Sequence, residues 1–517
     1  MKLVKAMATV AGLTFTSRIA GFVRDMATAA MIGAGPVSDA FFVALKLPNF
    51  FRRVTAEGAF NVSFVPLYTK TLEEDGEEAA GRFASNAYSL MIVVLGIFSI
   101  LMMIAMPLVV ELIAPGFQDD PERYPLAIAM SRITFPYLLL ISLTALLGGV
   151  LNAHHRFAPF AAAPIIFNLT IVAALFGLTP FVPTAGHAMA WGVSISGGLQ
   201  LLMLAFFVKR HKIIVRFKKP EITVRIKRLF KLMGPGIVGA GVMHINLFAD
   251  MIIASLLPTG AISYMYYADR LNQLPLGVVG IAIGTALLPM LTKALVAGEA
   301  REAKDLYNRA LEYSYLLALP AATALLIIPH SLIQVLFERG EFGPEDTQAT
   351  AMVLGAYAIG LPAYIASKVY ASAFWAKQDT LTPVKISIFI TLLNIALAYT
   401  LSRFIGVAGI ALGTSIVGWL QIIIYNVRLR GMEHATHDSR FKMNMMKIVG
   451  ATALMGGLLY ILNPHVQPLL DGSVLSKIGG LAILVAAGAS LYGVIILFTG
   501  VIVRADLRKY LKRKKKK

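Results

Sequence analysis

The 517 residues contain no cysteine. That excludes disulfides, thiol catalysis, iron–sulfur clusters and thiolate metal sites. Charge is also scarce. Asp, Glu, Lys and Arg make up 15% of the chain, against about 25% in soluble domains. There is no GxxxxGK[ST] loop to cradle a nucleotide's phosphates. His187, His244 and His330 are scattered without metal-ligand spacing. Short alternating strands are missing too, which argues against a membrane barrel.

Apolar sequence fills the space instead. Hydrophobic residues reach 57% and the mean hydropathy is +0.72. A surface this apolar suits lipid, where only helices and closed barrels satisfy the backbone. The expected fold class is therefore all-α integral membrane. About fourteen segments have spanning length: 8–33, 37–66, 84–113, 125–152, 159–181, 186–208, 229–257, 262–292, 308–336, 347–375, 381–403, 406–428, 444–463 and 475–503. Pro48, Pro275 and Pro362 fall inside the second, eighth and tenth and predict bends there. The segment after the basic Met1–Lys5 carries Arg18 and Arg24 and no clear cleavage site, so it reads as a retained span.

The net charge of +19 could suggest nucleic acid, but its distribution argues against that partner. Basic residues gather in a few connections and in the tail "RKYLKRKKKK". Such clusters read as cytoplasmic anchors beside anionic lipid headgroups. The connection "KRHKIIVRFKKPEITVRIKRLFK" has Glu221 as its one acid. It lies an even number of spans from the N terminus, as do the connection after span twelve and the tail. "APGFQDDPERYP" and "ERGEFGPED", on the odd side, lean acidic. The positive-inside rule then puts both termini in the cytoplasm. The acidic stretch 70–82 fits weakly, but acids count little in that rule.

The chain resembles itself at a shift of 221–226 residues. "AWGVSISGGLQ" at 190–200 matches "ALGTSIVGWLQ" at 411–421, and "VPLYTK" at 65–70 matches "LPMLTK" at 288–293. Asp25 aligns with Asp250, Ser38 with Ser263, and Asn168 with Asn394. A six-span unit returns the chain to its starting side, so the copies run parallel. The expected division is an N-lobe at 1–215, a basic linker and C-lobe at 216–430, and two extra helices with the tail at 431–517. Two parallel six-helix lobes around a central cavity is transporter architecture.

Charges inside the spans point to the cargo. Each costs roughly 2.5–3.5 kcal/mol at a bilayer centre. The first, second and eighth spans hold Arg18, Arg24, Lys46, Arg52, Arg53 and Arg270 against Asp25, Asp39, Glu57 and Asp269. Asp39, Lys46 and Arg53 share a stripe at seven-residue spacing, as do Arg18 and Asp25. The acids can pair with neighbouring helices. The cationic surplus asks for an anion, and the planar guanidinium fork favours phosphate. A phosphate head on a lipid tail fits best.

"TSRIAGFVRD", "SDAFFVALKLPNFFRRVTAEGAFNVSFVPLY" and "YYADRLNQLPLGVVGIAIGTALLPML" resemble the signature stretches of the MurJ (MviN) family. These are bacterial lipid II flippases of the multidrug/oligosaccharidyl-lipid/polysaccharide exporter superfamily. The resemblance runs to about residue 505. It implies transfer of undecaprenyl-diphosphate-linked disaccharide pentapeptide to the outer leaflet of the inner membrane for peptidoglycan synthesis. It implies no enzyme activity, and membrane lipids and other cell-wall synthesis proteins as partners. By motif, Arg18, Arg24, Arg52 and Arg270 match cavity arginines, and Asp39, Asn49 and Ser263 line or shape the cavity. The last two helices would form a groove for the lipid tail. The resemblance also implies a sodium site using Asp250, Asn394 and Thr414, with Ala398 where a second carboxylate would stand. No other cofactor is implied.

Three rivals follow from the same residues. One exports another polyprenyl-diphosphate-linked oligosaccharide. A drug exporter would be expected to show an acidic cavity. An integral membrane glycosyltransferase would need carboxylates near a membrane face, and the best acidic loop, "DDPERYP", has neither helical context nor partners for that role.

Overall fold

The computed structural model describes residues 2–54, 60–243, 245–432 and 435–501. Helices account for nearly all of it, and one isolated bridge joins Arg339 to Phe342. Glu57, His244 and the basic tail lie outside the described residues.

Among the described residues, ten helices are long and apolar enough to cross a membrane, from Asn61–Ile104 to Val474–Phe498. The remaining expected segments are the first, second, seventh and eighth. They fold as Lys2–Ile32, as Pro36–Phe51, as Val224–Met243 with Ile245–Ser255, and as Ala261–Pro275 with Ile281–Val296. These are the first two segments of each repeat. Arg18, Arg24 and Asp25 lower the apolarity of the first, and Asp269 and Arg270 that of the eighth. Pro275 ends an α-helix and a π turn, Leu276–Gly280, follows it, consistent with the donor that proline removes. Pro48 and Pro362 instead sit inside continuous helices. In the acidic stretch 70–82 the backbone leaves helical geometry at Gly76, whose φ is +84°.

Contacts divide the chain into two compact units. One is Met1–Ser263 with Arg339–Phe342, the other Tyr264–Glu338 with Gly343–Lys517. The repeat reappears as matched packing within each. A Cβ on Gly192 would fall 2.8 Å from that of Ala174, and one on Gly413 would fall 3.0 Å from the nitrogen of Ala398. Ser194 donates to the Ile133 carbonyl at 2.5 Å, and Ser415 to that of Ala356 at 2.6 Å. Shared membrane composition would not reproduce these contacts residue for residue.

A second match lies at the connections. Asn86, on Asn61–Ile104, accepts the Glu221 N–H at 2.8 Å and donates to the Glu221 carbonyl at 2.5 Å. Asn308, on Ala300–Ile327, accepts the Asp438 N–H at 3.1 Å and donates to the Thr436 carbonyl at 2.9 Å. Both asparagines are buried. Each grips the chain that leaves the sixth span of its own repeat. In the first unit Ser85 and Ser89 also accept the N–H groups of Arg216 and Lys218, at 3.0 and 2.8 Å. The basic linker is thus a strap laid on its own unit, and the chain up to Ser263 groups with that unit.

Residues 339–342 join that unit for a local reason. Glu341 N–H donates to the Ala30 carbonyl at 3.0 Å. Gly340 has φ +59°, and a Cβ there would lie 2.1 Å from the Ala30 oxygen. Gly116 makes the counterpart contact: its N–H donates to Ser255 Oγ at 3.2 Å, and a Cβ would lie 2.1 Å from the Ser255 oxygen.

Candidate functional site

The first helix, Lys2–Ile32, places Arg18, Arg24 and Asp25 in an otherwise apolar run. Arg24 and Asp25 are buried, at 8% and 3% exposure. Arg24 Nη2 lies 2.6 Å from Asp25 Oδ1. Its Nη1 donates to Asn168 Oδ1 at 3.0 Å, and Asn168 Nδ2 donates to the Ser17 carbonyl at 3.1 Å. The guanidinium also sits 5.7 Å from the Phe167 ring centroid. Asn168 thereby ties Ala158–Leu178 to the first helix. The seven-residue stripe pairs Arg18 with Asp25, but the carboxylate is taken by the adjacent Arg24.

Arg18 differs. It is exposed, and among the described residues no acid lies within ion-pair distance of it. It is a cation in an apolar helix whose charge the described protein does not answer.

Asp39 and Ser263 form a different kind of cluster. Both are fully buried. Asp39 accepts N–H groups from Gly260 at 2.8 Å and Ser263 at 2.9 Å, and the Ser263 hydroxyl at 2.6 Å. Ser263 Oγ also lies 2.9 Å from Oγ of Ser38, its partner in the repeat. Arg123 approaches Asp39 to 3.9 Å, bonds Asp120 at 2.5 Å and stacks 4.7 Å over Phe117. Burial pushes the Asp120 carboxyl up, but N–H and guanidinium bonds from Arg123 outweigh it and hold it below the usual carboxylate range. These groups are spent on one another.

Asn49 Oδ1 accepts from Arg52 Nε at 3.1 Å, and Asn49 Nδ2 donates to the Leu45 carbonyl at 2.8 Å. The amide thus fixes where the half-buried guanidinium begins. In the second unit, Arg270 lies 4.5 Å over the Tyr266 ring, and Gln273 bonds Asp269.

Sequence reasoning missed Lys368. It sits half-buried in Pro344–Trp375, with no acid in ion-pair range among the described residues. A Cβ on Gly280, at the end of the π turn, would lie 3.2 Å from its Nζ. The signal was available: one lysine in the run "YIASKVYASAF".

Among the described residues no group of three His, Cys, Asp or Glu could hold a metal ion. Asn394 is fully buried, and among the described residues neither of its side-chain atoms has a hydrogen-bond partner. Its repeat counterpart Asn168 spends the same atoms on Arg24 and Ser17. Thr414 donates to the Ile410 carbonyl at 3.0 Å. Ala398 is buried and offers no ligand. Asp250 lies on Ile245–Ser255, in the first unit.

The family model described as lipid II flippase MurJ matches residues 28–478. A probable lipid II flippase MurJ of Rhizobium tropici is 38% identical, covering 100% of this chain and 98% of the relative. The lipid II flippase MurJ of Burkholderia cenocepacia is 34% identical, covering 89% and 90%. The solved structure of lipid II flippase MurJ in an inward closed conformation aligns with a TM-score of 0.79 at 26% identity, over 96% of this chain and 99% of that one. An inward-facing multidrug transporter of the MATE family shares the fold, with a TM-score of 0.67 at 14% identity over 86% and 98%. On its repeat, its membrane helices and this full-length similarity, the chain belongs to the MurJ family of lipid II flippases.

Proposed function

We propose that the chain carries lipid II, the undecaprenyl-diphosphate-linked peptidoglycan precursor, from the inner to the outer leaflet of the bacterial inner membrane. It is a transporter by this reading, and makes or breaks no covalent bond. The observation that carries the proposal is Arg18, an exposed guanidinium on an apolar helix with no carboxylate in ion-pair range among the described residues. A diphosphate supplies the missing charge in the geometry a guanidinium prefers. Arg52 adds to the cations of the first unit, and Arg24, paired with Asp25, stands one helical face away from Arg18 for the diphosphate to recruit. Arg270 and Lys368 are the corresponding cations of the second unit. Asp39, Asn49 and Ser263 shape the first unit's share by fixing helix ends and the Arg52 side chain. In this reading the six-span repeats, expected at 1–215 and 216–430, supply the transport machinery, and 431–517 carries the lipid tail. Both termini are cytoplasmic. The cell-wall synthesis proteins that consume the flipped precursor are its partners.

The membrane potential, negative inside, favours outward movement of an anion by about 2.3 kcal/mol per charge per 100 mV. For a diphosphate of roughly two charges this is a useful drive without nucleotide. The direct test is depletion of a host flippase in cells carrying a reporter of outer-leaflet lipid II. Expression of this chain restores labelling. Membrane-inserted protein that restores none, or that exports a different polyprenyl-linked sugar, would sink the proposal.

We further propose sodium as a coupling ion, held within the second unit by Asn394 and Thr414. The idle Asn394 amide oxygen is a hard donor that suits such an ion. Purified protein should then show saturable sodium binding that Asn394→Ala abolishes. Calorimetry without a sodium signal in the unsubstituted chain would remove the ion from the mechanism.

A further inference from the structure

The strap after the sixth span of the first repeat has a use that substrate transfer does not explain. Residues 213–222 have no regular secondary structure, yet their backbone is fastened. Ile214 packs on Gly81, where a Cβ would come within 2.9 Å of the Ile214 oxygen. Arg216 and Lys218 bond Ser85 and Ser89, and Glu221 returns to Asn86. From Gly81 to Ser89 is eight residues, so the strap reaches about 12 Å along the apolar helix before turning back. Its turning point is Arg216–Phe217–Lys218.

The side chains that this fastening leaves outward are of two kinds. Phe217 is 63% exposed and Ile222 69% exposed, with Ile214 also exposed. Lys212, Arg216 and Lys219 are exposed beside them, and Lys218 half-exposed. The strap itself holds one acid, Glu221, and the helix beneath it carries the 73–78 group around Gly76. That group lies at the other end: Glu78 to Ser89 is about 16 Å of helix. Asp75 is already paired with Arg225 at 2.6 Å. A fixed row of cations around exposed aromatic and aliphatic side chains, set against a membrane-spanning helix, complements a surface that is anionic outside and apolar beneath.

We propose that this strap is a docking surface for anionic phospholipid. Phe217 enters the interface of the leaflet on its own side, and Arg216, Lys218 and Lys219 hold the headgroup phosphates. The preformed backbone lowers the ordering cost that a flexible polybasic loop would meet on binding.

The test uses the full chain in vesicles, and the lack of native cysteine makes a single introduced thiol unique. Phe217→Cys carries a polarity-sensitive fluorophore; Glu74→Cys, exposed near Gly76, is the control. In phosphatidylcholine vesicles with one third phosphatidylglycerol, the 217 probe should shift to the blue. It should also lose several-fold of its quenching by aqueous iodide relative to phosphatidylcholine alone. High salt should reverse both, and the probe at 74 should not respond. Adding Arg216→Gln, Lys218→Gln and Lys219→Gln should erase the lipid dependence while the melting temperature stays unchanged. Equal quenching in the two vesicle types overturns the proposal. So does a lipid effect that survives the triple substitution, or one that needs added cytosolic protein.

Discussion

Arg18→Ala is expected to abolish rescue of a flippase-depleted strain while the protein folds and inserts as before. Arg18 is exposed and makes no ion pair with a described residue, so its removal strands no partner. Substitutions away from such features usually change stability by no more than about 0.5 kcal/mol. Outer-leaflet lipid II labelling should fall to the level of the empty vector, with membrane abundance and melting temperature unaltered. Arg18→Lys should recover little, because an ammonium carries the charge without the planar fork. A different result separates the alternative. A guanidinium turned toward hydrocarbon costs roughly 2.5–3.5 kcal/mol. Alanine would then raise the melting temperature and leave labelling intact.

Arg24→Ala should fail in another way. Here the guanidinium answers a carboxylate that is 3% exposed and an asparagine amide from a second helix. Breaking a buried pair by deleting one partner costs about 3–5 kcal/mol, because the other charge stays buried. The expected outcome is lower membrane abundance, a lower melting temperature and no rescue. The double substitution Arg24→Ala/Asp25→Ala removes both charges and should recover much of the abundance. If it also recovers labelling, Arg24 is a strut and has no part in holding the diphosphate. If abundance returns without labelling, its charge serves transport directly. Neither single variant can make that distinction.

The fold class and the repeat were legible because both are written in local patterns. Long apolar runs need no partner to be recognised. The strings around Gly192 and Gly413 match because each glycine lets a helix approach the one before it. The spans that open each repeat fall short of a long apolar helix, because charges and Pro275 interrupt the run. The sites were less legible. Arg24 could be seen as a costly charge, but its partner Asn168 is 144 positions away and carries no sign of that role in its own surroundings. Asp39 looked like a cavity residue, yet its oxygens are occupied by Gly260 and Ser263. Lys368 escaped notice because attention to clusters overlooks a solitary cation. The asparagine grip at 86 and 308 was invisible, since "SNAY" and "YNRA" share only the asparagine.

That grip changes how the strap should be treated at the bench. Ten residues without helix or strand, rich in lysine and arginine, look like spare cord in which to splice an affinity tag or a fluorescent domain. Here three backbone N–H groups are already engaged with Ser85, Ser89 and Asn86, and tolerance to splicing follows such engagement more than it follows irregular shape. A guest placed between Ile213 and Glu221 would have to peel the cord from the helix beneath it.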